Sequence, residues 1–159
     1  MIDSFEGKYA FLSNFAPSPM HEEPSQGEII DYPTVEHYFQ AMKTKDLNIR
    51  REIAAARTPG EAKRIGRHID LRPDWNAIKN DVMLEGVRGK FRWIDLRELL
   101  LETGDEELEE GNTWHDNIWG NCHCPKCKNI PGENRLGKIL MQVREEIKSG
   151  NCEPVYRDS

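Results

Sequence analysis

Glu36, Gln40 and Lys43 stand four and three residues apart in the run Tyr32-Pro33-Thr34-Val35-Glu36-His37-Tyr38-Phe39-Gln40-Ala41-Met42-Lys43. On a helix this spacing places a carboxylate, an amide and an amine on one face across two turns. Such a set can surround one polar substrate; it serves equally as a solvated face with a surface ion pair. A second concentration runs from Glu109 to Gly120, where acids, amides and two tryptophans mix without helical or strand period. There Glu110 or Asp116 can accept a proton or stabilise positive charge, and Trp119 can stack on a nucleobase. Alternatively, Trp119 anchors a polar loop in the core.

Cys122-His123-Cys124-Pro125-Lys126-Cys127 holds three thiols within six positions. Thiolates at this density suit a structural zinc, with Cys122, Cys124 and Cys127 as ligands and a fourth from His115, His123 or Cys152. The C-x-C-x2-C spacing is not that of two separated C-x2-C pairs, so a reduced, metal-free loop is the alternative. Neither H-E-x-x-H, G-x-x-x-x-G-K-[ST] nor G-x-S-x-G occurs, which removes support from metalloprotease, P-loop and serine-hydrolase readings.

The elements that must position these residues follow from local chemistry. Lys8 to Phe15 and Glu28 to Tyr32 are rich in aromatic and branched residues and read as strands of a small sheet, with Pro17 to Gly27 as an exposed loop between them. Thr34 is placed to cap a helix running to about Thr44, and Asp46 the next, ending near Arg57. Thr58-Pro59-Gly60-Glu61 has capping-box spacing and opens a short helix through Arg67. Asp74 then caps a helix to about Phe91, with Trp75, Ile78, Val82, Met83 and Val87 on one face. Leu96 to Thr103, closed by Gly104, and Asn134 to Lys148, with an apolar stripe from Leu136 to Ile147, complete the helices. The expectation is an α+β fold: one mainly helical domain over residues 1–159 with a small β-sheet and a Cys-containing loop at about 121–133.

The net charge of -6 disfavours bulk nucleic-acid binding. The basic residues gather in Lys63 to His68 and at Arg72, which suits a small anionic ligand. No apolar run is long enough to span a bilayer and the N-terminus does not read as a signal peptide, so a cytoplasmic location and no membrane partner are expected.

Several blocks together resemble the NADAR (YbiA-like) family over about Phe5 to Ile147. They are Leu12-Ser13-Asn14-Phe15, the Tyr32 to Lys43 run, Ala62 to Arg67, Trp75 with Lys79 and Met83, Lys90-Phe91, Trp119-Gly120, and Asn134-Arg135-Leu136-Gly137-Lys138-Ile139-Leu140-Met141. The resemblance implies N-glycosidase activity on ribosylated nitrogen compounds. The substrate it implies is ADP-ribose on modified guanine, as a small molecule or linked to nucleic acid. The alternatives are early riboflavin-pathway ribosylaminopyrimidine phosphates, or a non-catalytic module that binds ADP-ribose or NAD.

Cleaving a C1′–N bond builds positive charge on the ribose, which a carboxylate stabilises while a general acid helps the base leave. Glu36 is the candidate carboxylate. The resemblance favours a lysine that attacks C1′ and forms a Schiff base; Lys43 is the candidate, with Lys79 in reserve. Glu110 and Asp116 are secondary acids, Asn14 at the strand end orients the sugar, Trp119 is the stacking wall, and Gln40 and Gly120 are further substrate-binding candidates. Arg64, Arg67 and Arg72 are candidate phosphate partners, because guanidinium forks match phosphate oxygens, or else form a solvated basic face. No cofactor is required for this chemistry, and a zinc at the cysteines would be structural.

Overall fold

A computed structural model describes residues 1–156; the last three positions of the expected 1–159 domain lie outside the described residues. The chain divides into two units, Asn14–Lys90 and a second made of Met1–Ser13 with Phe91–Ser159. Among the described residues no helix is long and apolar enough to cross a membrane.

The Asn14–Lys90 unit opens with an antiparallel hairpin, β1 (Met20–Ser25) and β2 (Glu28–Tyr32), paired Met20 to Tyr32, His21 to Asp31 and Glu22 to Ile30. β1 corrects the expected loop over Pro17 to Gly27. Its residues alternate between half-buried and exposed, and Glu22 points inward because Tyr32 and Arg50 both donate to its carboxylate. Arg50, itself buried, also donates from Nε to the Thr44 carbonyl at 2.8 Å. Removing one partner of a buried ion pair leaves the other charge uncompensated. Arg50→Met is therefore expected to lower stability by about 2–3 kcal/mol, measured as a shift in denaturant midpoint at constant m.

Helices α1 (Val35–Ala41), α2 (Leu47–Ala54), α3 (Pro59–Gly66) and α4 (Trp75–Lys90) follow, and α1 packs against the other three. Thr34, Asp46 and Thr58 each accept hydrogen bonds from first-turn N–H groups, as their sequence positions require. The Glu61 carboxylate reaches back to the Arg57 N–H rather than to the N-cap itself. Asp74 stands directly before α4, as expected of a cap, with its carbonyl accepting from the Ile78 N–H at 3.1 Å, while its carboxylate holds Arg72 in a two-pronged ion pair, Nε to Oδ1 at 2.7 Å and Nη2 to Oδ2 at 3.2 Å. On α4, Trp75, Met83 and Val87 are buried while Ile78 and Val82 are only partly so. α4 comes close to α1 at Gly86, where a Cβ would lie 3.1 Å from both Val35 and Tyr38.

In the other unit a 3-10 helix (Gly7–Leu12) replaces the strand expected over Lys8 to Phe15. Its aromatic and apolar residues bury Leu12 while leaving Tyr9 and Phe11 half-buried, a one-sided pattern that a short helical turn meets as well as a strand. This turn packs on α5 (Ile94–Glu102), which packs on α6 (Arg135–Lys148). α6 buries Leu136, Ile139, Leu140 and Val143 as its stripe predicts. Buried Arg144 donates to Thr103 Oγ1 and the Glu106 carbonyl, both at 2.8 Å. Between α5 and α6 lies the irregular stretch, with a two-residue parallel pair, β3 (Gly111–Asn112) and β4 (Asn121–Cys122). The fold is α+β and mainly helical, with small two-stranded sheets.

Candidate active site

Helix α1 is buried almost all round: Val35, Glu36, His37, Phe39, Gln40 and Ala41 are buried and only Tyr38 is partly exposed. Polar groups on such a helix must find partners, because an unpaired polar group out of water is costly. His37 is satisfied structurally. Its Nε2–H donates to the Ala56 carbonyl at 3.0 Å, while Nδ1 accepts from the Thr34 hydroxyl at 2.8 Å. The same hydroxyl accepts from the His37 N–H, so one Thr–His pair caps the helix and ties it to the end of α2.

Glu36 is different. It is 7% exposed, and its Oε1 accepts a 2.8 Å hydrogen bond from Gln40 Nε2 one turn on. Burial holds its carboxyl above the ordinary carboxylate range, against the Gln40 bond and the charges of Lys63, Lys43 and His37. The backbone N–H of Glu36 is held by the Asn14 carbonyl at 3.1 Å, and the buried Asn14 amide donates to Met83 Sδ at 3.3 Å. Asn14 sits in a turn, not at the strand end expected, and fixes where α1 begins.

Lys43 lies just past the helix, whose last residue is Ala41 rather than Thr44. Its N–H still bonds to the Gln40 carbonyl at 3.2 Å, continuing the last turn of the helix. Burial lowers its ammonium below the ordinary lysine range; Glu36 opposes this, and Lys63 and Arg67 add to it. With the carboxyl raised and the amine lowered, each group is moved toward its neutral form, in both cases chiefly by burial. This is the condition an acid and an amine nucleophile need.

Two contributors were not among the site residues expected. Lys63 on α3 is the largest charge acting on Glu36, and the basic run Lys63 to Arg67 was the only hint of it. Gly66 is the second. A Cβ there would stand 1.9 Å from Gln40 Oε1 and 3.2 Å from Gln40 Cβ, so α3 can reach α1 only without a side chain. Gln40 Oε1 is buried and has no hydrogen-bond partner among the described residues, leaving one acceptor for a ligand donor. Gly66→Ala is expected to push the Gln40 amide off Glu36, lowering stability by about 1–3 kcal/mol as over-packing does. Adding Gln40→Ala should return part of that loss, and a double-mutant cycle on denaturant midpoints measures it.

The remaining candidates in this unit are placed as follows. Lys79 is half-buried on α4; Arg64 and Arg67 are exposed at the end of α3. The Arg72 guanidinium is engaged by Asp74, and the Arg72 backbone N–H donates to the Lys43 carbonyl at 2.8 Å, so this residue braces the turn that carries Lys43. One further amine, Lys90 at the end of α4, is fully buried, and burial pushes its ammonium down to about 7.

Glu110, Asp116, Trp119 and Gly120 belong to the other unit. There the first N–H groups of α6, which a helix leaves without internal partners, are taken by a loop. Asn134, Arg135 and Leu136 donate to the carbonyls of Gly120, Ile118 and Trp119 at 3.0–3.1 Å. Asp116 Oδ1 accepts from the Ile118 and Trp119 N–H groups, so this oxygen shapes the loop. Gly120 is buried with the Glu110 carbonyl 2.2 Å from where its Cβ would be, a close approach that accounts for the glycine. Trp119 and Glu110 are half-buried, and the Arg135 guanidinium lies 6.0 Å from the Trp119 ring centroid. His115 Nδ1 lies near the thiols of Cys122, Cys124 and Cys127.

The NADAR domain model matches residues 3–148. An N-glycosidase of Nostoc punctiforme is 44% identical over 147 residues, covering 89% of this chain and 87% of that protein. The N-glycosidase YbiA of Escherichia coli is 39% identical over 142 residues, covering 87% and 82%. A maize chloroplastic riboflavin biosynthesis protein, PYRR, is 36% identical across 87% of this chain but only 23% of its own length. The solution structure of Escherichia coli YbiA superposes with a TM-score of 0.73 at 36% identity, covering 94% of this chain and 88% of that one. With its domain matched nearly end to end and its fold shared, the chain belongs to the NADAR family.

Proposed function

We propose that this chain is an N-glycosidase that hydrolyses a ribose C1′–N bond, with ADP-ribose on a modified guanine as its substrate. The observation that carries the reading is the buried Glu36 carboxyl, held by Gln40 and facing the charges of Lys43 and Lys63. Relatives named as N-glycosidases align over most of the chain and most of their own lengths, which supports the same reaction type.

In this mechanism the neutral Lys43 amine bonds to C1′ as the C1′–N bond breaks, and the protonated Glu36 carboxyl gives its proton to the departing base. The bonded lysine nitrogen then loses a proton to the Glu36 carboxylate. The ring opens at its oxygen, which takes that proton back, and C1′ is left as a Schiff base. Water adds to the Schiff-base carbon and expels the lysine, giving free ribose at the ADP-ribosyl end. The exposed Arg64 and Arg67 supply cations for the diphosphate.

A second reading keeps the chemistry and changes the substrate to a ribosylaminopyrimidine phosphate. It is favoured by the names of two relatives, the riboflavin biosynthesis proteins of maize and of Vibrio vulnificus. Chromatography with mass detection after incubation with ADP-ribosylated guanosine, NAD and a ribosylaminopyrimidine phosphate in parallel decides between them. Release of guanosine and ADP-ribose is the expected result. Release from the pyrimidine alone would move the substrate, and binding of ADP-ribose with every substrate intact would replace hydrolysis with sensing.

A further inference from the structure

We propose that His115, Cys122, Cys124 and Cys127 form a closed structural zinc site, with His115 Nδ1 as its nitrogen ligand. The four ligand atoms lie within 4.8 Å of one another. His115 Nδ1 is 3.3 Å from the sulfurs of Cys124 and Cys127 and 3.9 Å from that of Cys122. Zn–S bonds of about 2.3 Å and a Zn–N bond of about 2.0–2.1 Å set at tetrahedral angles require nitrogen–sulfur edges of roughly 3.6 Å and sulfur–sulfur edges of roughly 3.8 Å. The three nitrogen–sulfur distances bracket the edge they need, and every sulfur lies within 4.8 Å of the others, close enough for small side-chain adjustments to complete the tetrahedron.

The backbone around the site is built for this convergence. His115 has φ 69°, a left-handed conformation that non-glycine residues adopt at a cost, and it turns the imidazole toward the sulfurs. The Cys124 N–H points at Cys122 Sγ at 3.5 Å, and the Cys127 N–H bonds back to the Cys124 carbonyl at 3.0 Å, closing a tight turn around Pro125 and Lys126. Asn117 Oδ1 accepts from the Cys122 N–H at 2.8 Å, bracing the first thiolate from behind.

The other residues that could complete the set are placed elsewhere. His123 is taken by Glu109, its Nε2 2.6 Å from Oε1, and Cys152 is exposed near the C-terminus, outside the group. Three sulfurs and one nitrogen fill a tetrahedron and leave no position for water or substrate, so the site is structural rather than catalytic. Binding exchanges three thiol protons for one Zn²⁺ and the protons pass to solvent. What the ion holds is the segment from His115 to Cys127, which carries Asp116 and Trp119 and docks on the first turn of α6.

Elemental analysis of the full chain, purified without chelator or metal-affinity resin, tests this directly, and about one zinc per chain is expected. Cobalt substitution should give the intense visible absorption of a tetrahedral ion with sulfur-to-cobalt charge transfer. Cys127→Ser should lose the metal, and His115→Ala should weaken zinc binding and shift the cobalt bands, whereas His123→Ala and Cys152→Ser should do neither. Zinc near zero in a reduced protein that also fails to take up cobalt would overturn the site. So would a disulfide within the cluster in the protein as purified, seen by intact mass. An unchanged cobalt spectrum in His115→Ala would overturn the assignment of its nitrogen.

Discussion

Glu36→Gln is expected to slow turnover by about 10²–10⁴-fold, the range a positioned acid–base group supplies, while substrate affinity stays within a few-fold and the melting temperature rises. The two effects have one cause. Glu36 is buried, and burial raises its carboxyl pKa in the folded protein. Below its unfolded pKa both states are protonated and no penalty exists. As pH climbs from the unfolded toward the folded pKa, the unfolded chain releases its proton first, so stability falls through that window and stays lower above it. The substituted amide cannot ionise, yet keeps an oxygen for Gln40 Nε2, so the penalty disappears without orphaning Gln40. For a chain of this size each kcal/mol relieved is worth roughly 2–4 °C in melting temperature. Calorimetry at acid and neutral pH should show the variant's advantage only at the higher pH. Wild-type turnover in the variant would remove Glu36 from the chemistry, and a lower melting temperature at neutral pH would contradict the burial penalty.

Lys43→Met is expected to reduce turnover about a thousandfold, about 4 kcal/mol of barrier, and to abolish a covalent adduct that the wild type forms. Borohydride added during turnover reduces a Schiff base to a stable amine, so intact mass should show one ribosyl adduct and peptide mapping should place it on Lys43. Lys43 is favoured because it is half-buried, shares its surroundings with Glu36, and has its ammonium lowered first by burial and then by Lys63 and Arg67. Its alternatives are the half-buried Lys79 and the fully buried Lys90. An adduct on either would move the nucleophile without changing the reaction, whereas no adduct under fast turnover would mean direct attack by water. The pH profile of kcat/KM should be a bell whose limbs lie closer together than free carboxyl and lysine groups allow, since one pKa is raised and the other lowered. Because the mechanism needs Glu36 protonated and Lys43 neutral, Glu36→Gln should remove the basic limb and Lys43→Met the acid one.

Helix starts were legible because a cap acts within three residues of itself. Thr34, Asp46 and Thr58 each receive the first-turn N–H groups their positions imply, and the α6 stripe is buried from Leu136 to Val143, with Ile147 only partly so. The alignment of Glu36 with Gln40 was legible for the same reason, helix period, whereas Lys43 lies past the end of α1. β1 was not, since Met20 to Ser25 has poor strand formers and its inward Glu22 makes sense only with Tyr32 and Arg50 around it. Nor could the 3-10 turn be told from a strand in so short an apolar run. At the candidate site the sequence supplied the groups but not their state. Whether Glu36 is a solvated carboxylate or a buried acid depends on α3 closing over α1, which depends on Gly66 having no side chain. The weight of Lys63, the idle Gln40 oxygen and the choice of His115 over His123 beside the thiols are of the same kind. Caps and periodicity act between neighbours along the chain and can be read from it; desolvation and charge act between neighbours in space, which only the folded packing of distant segments creates.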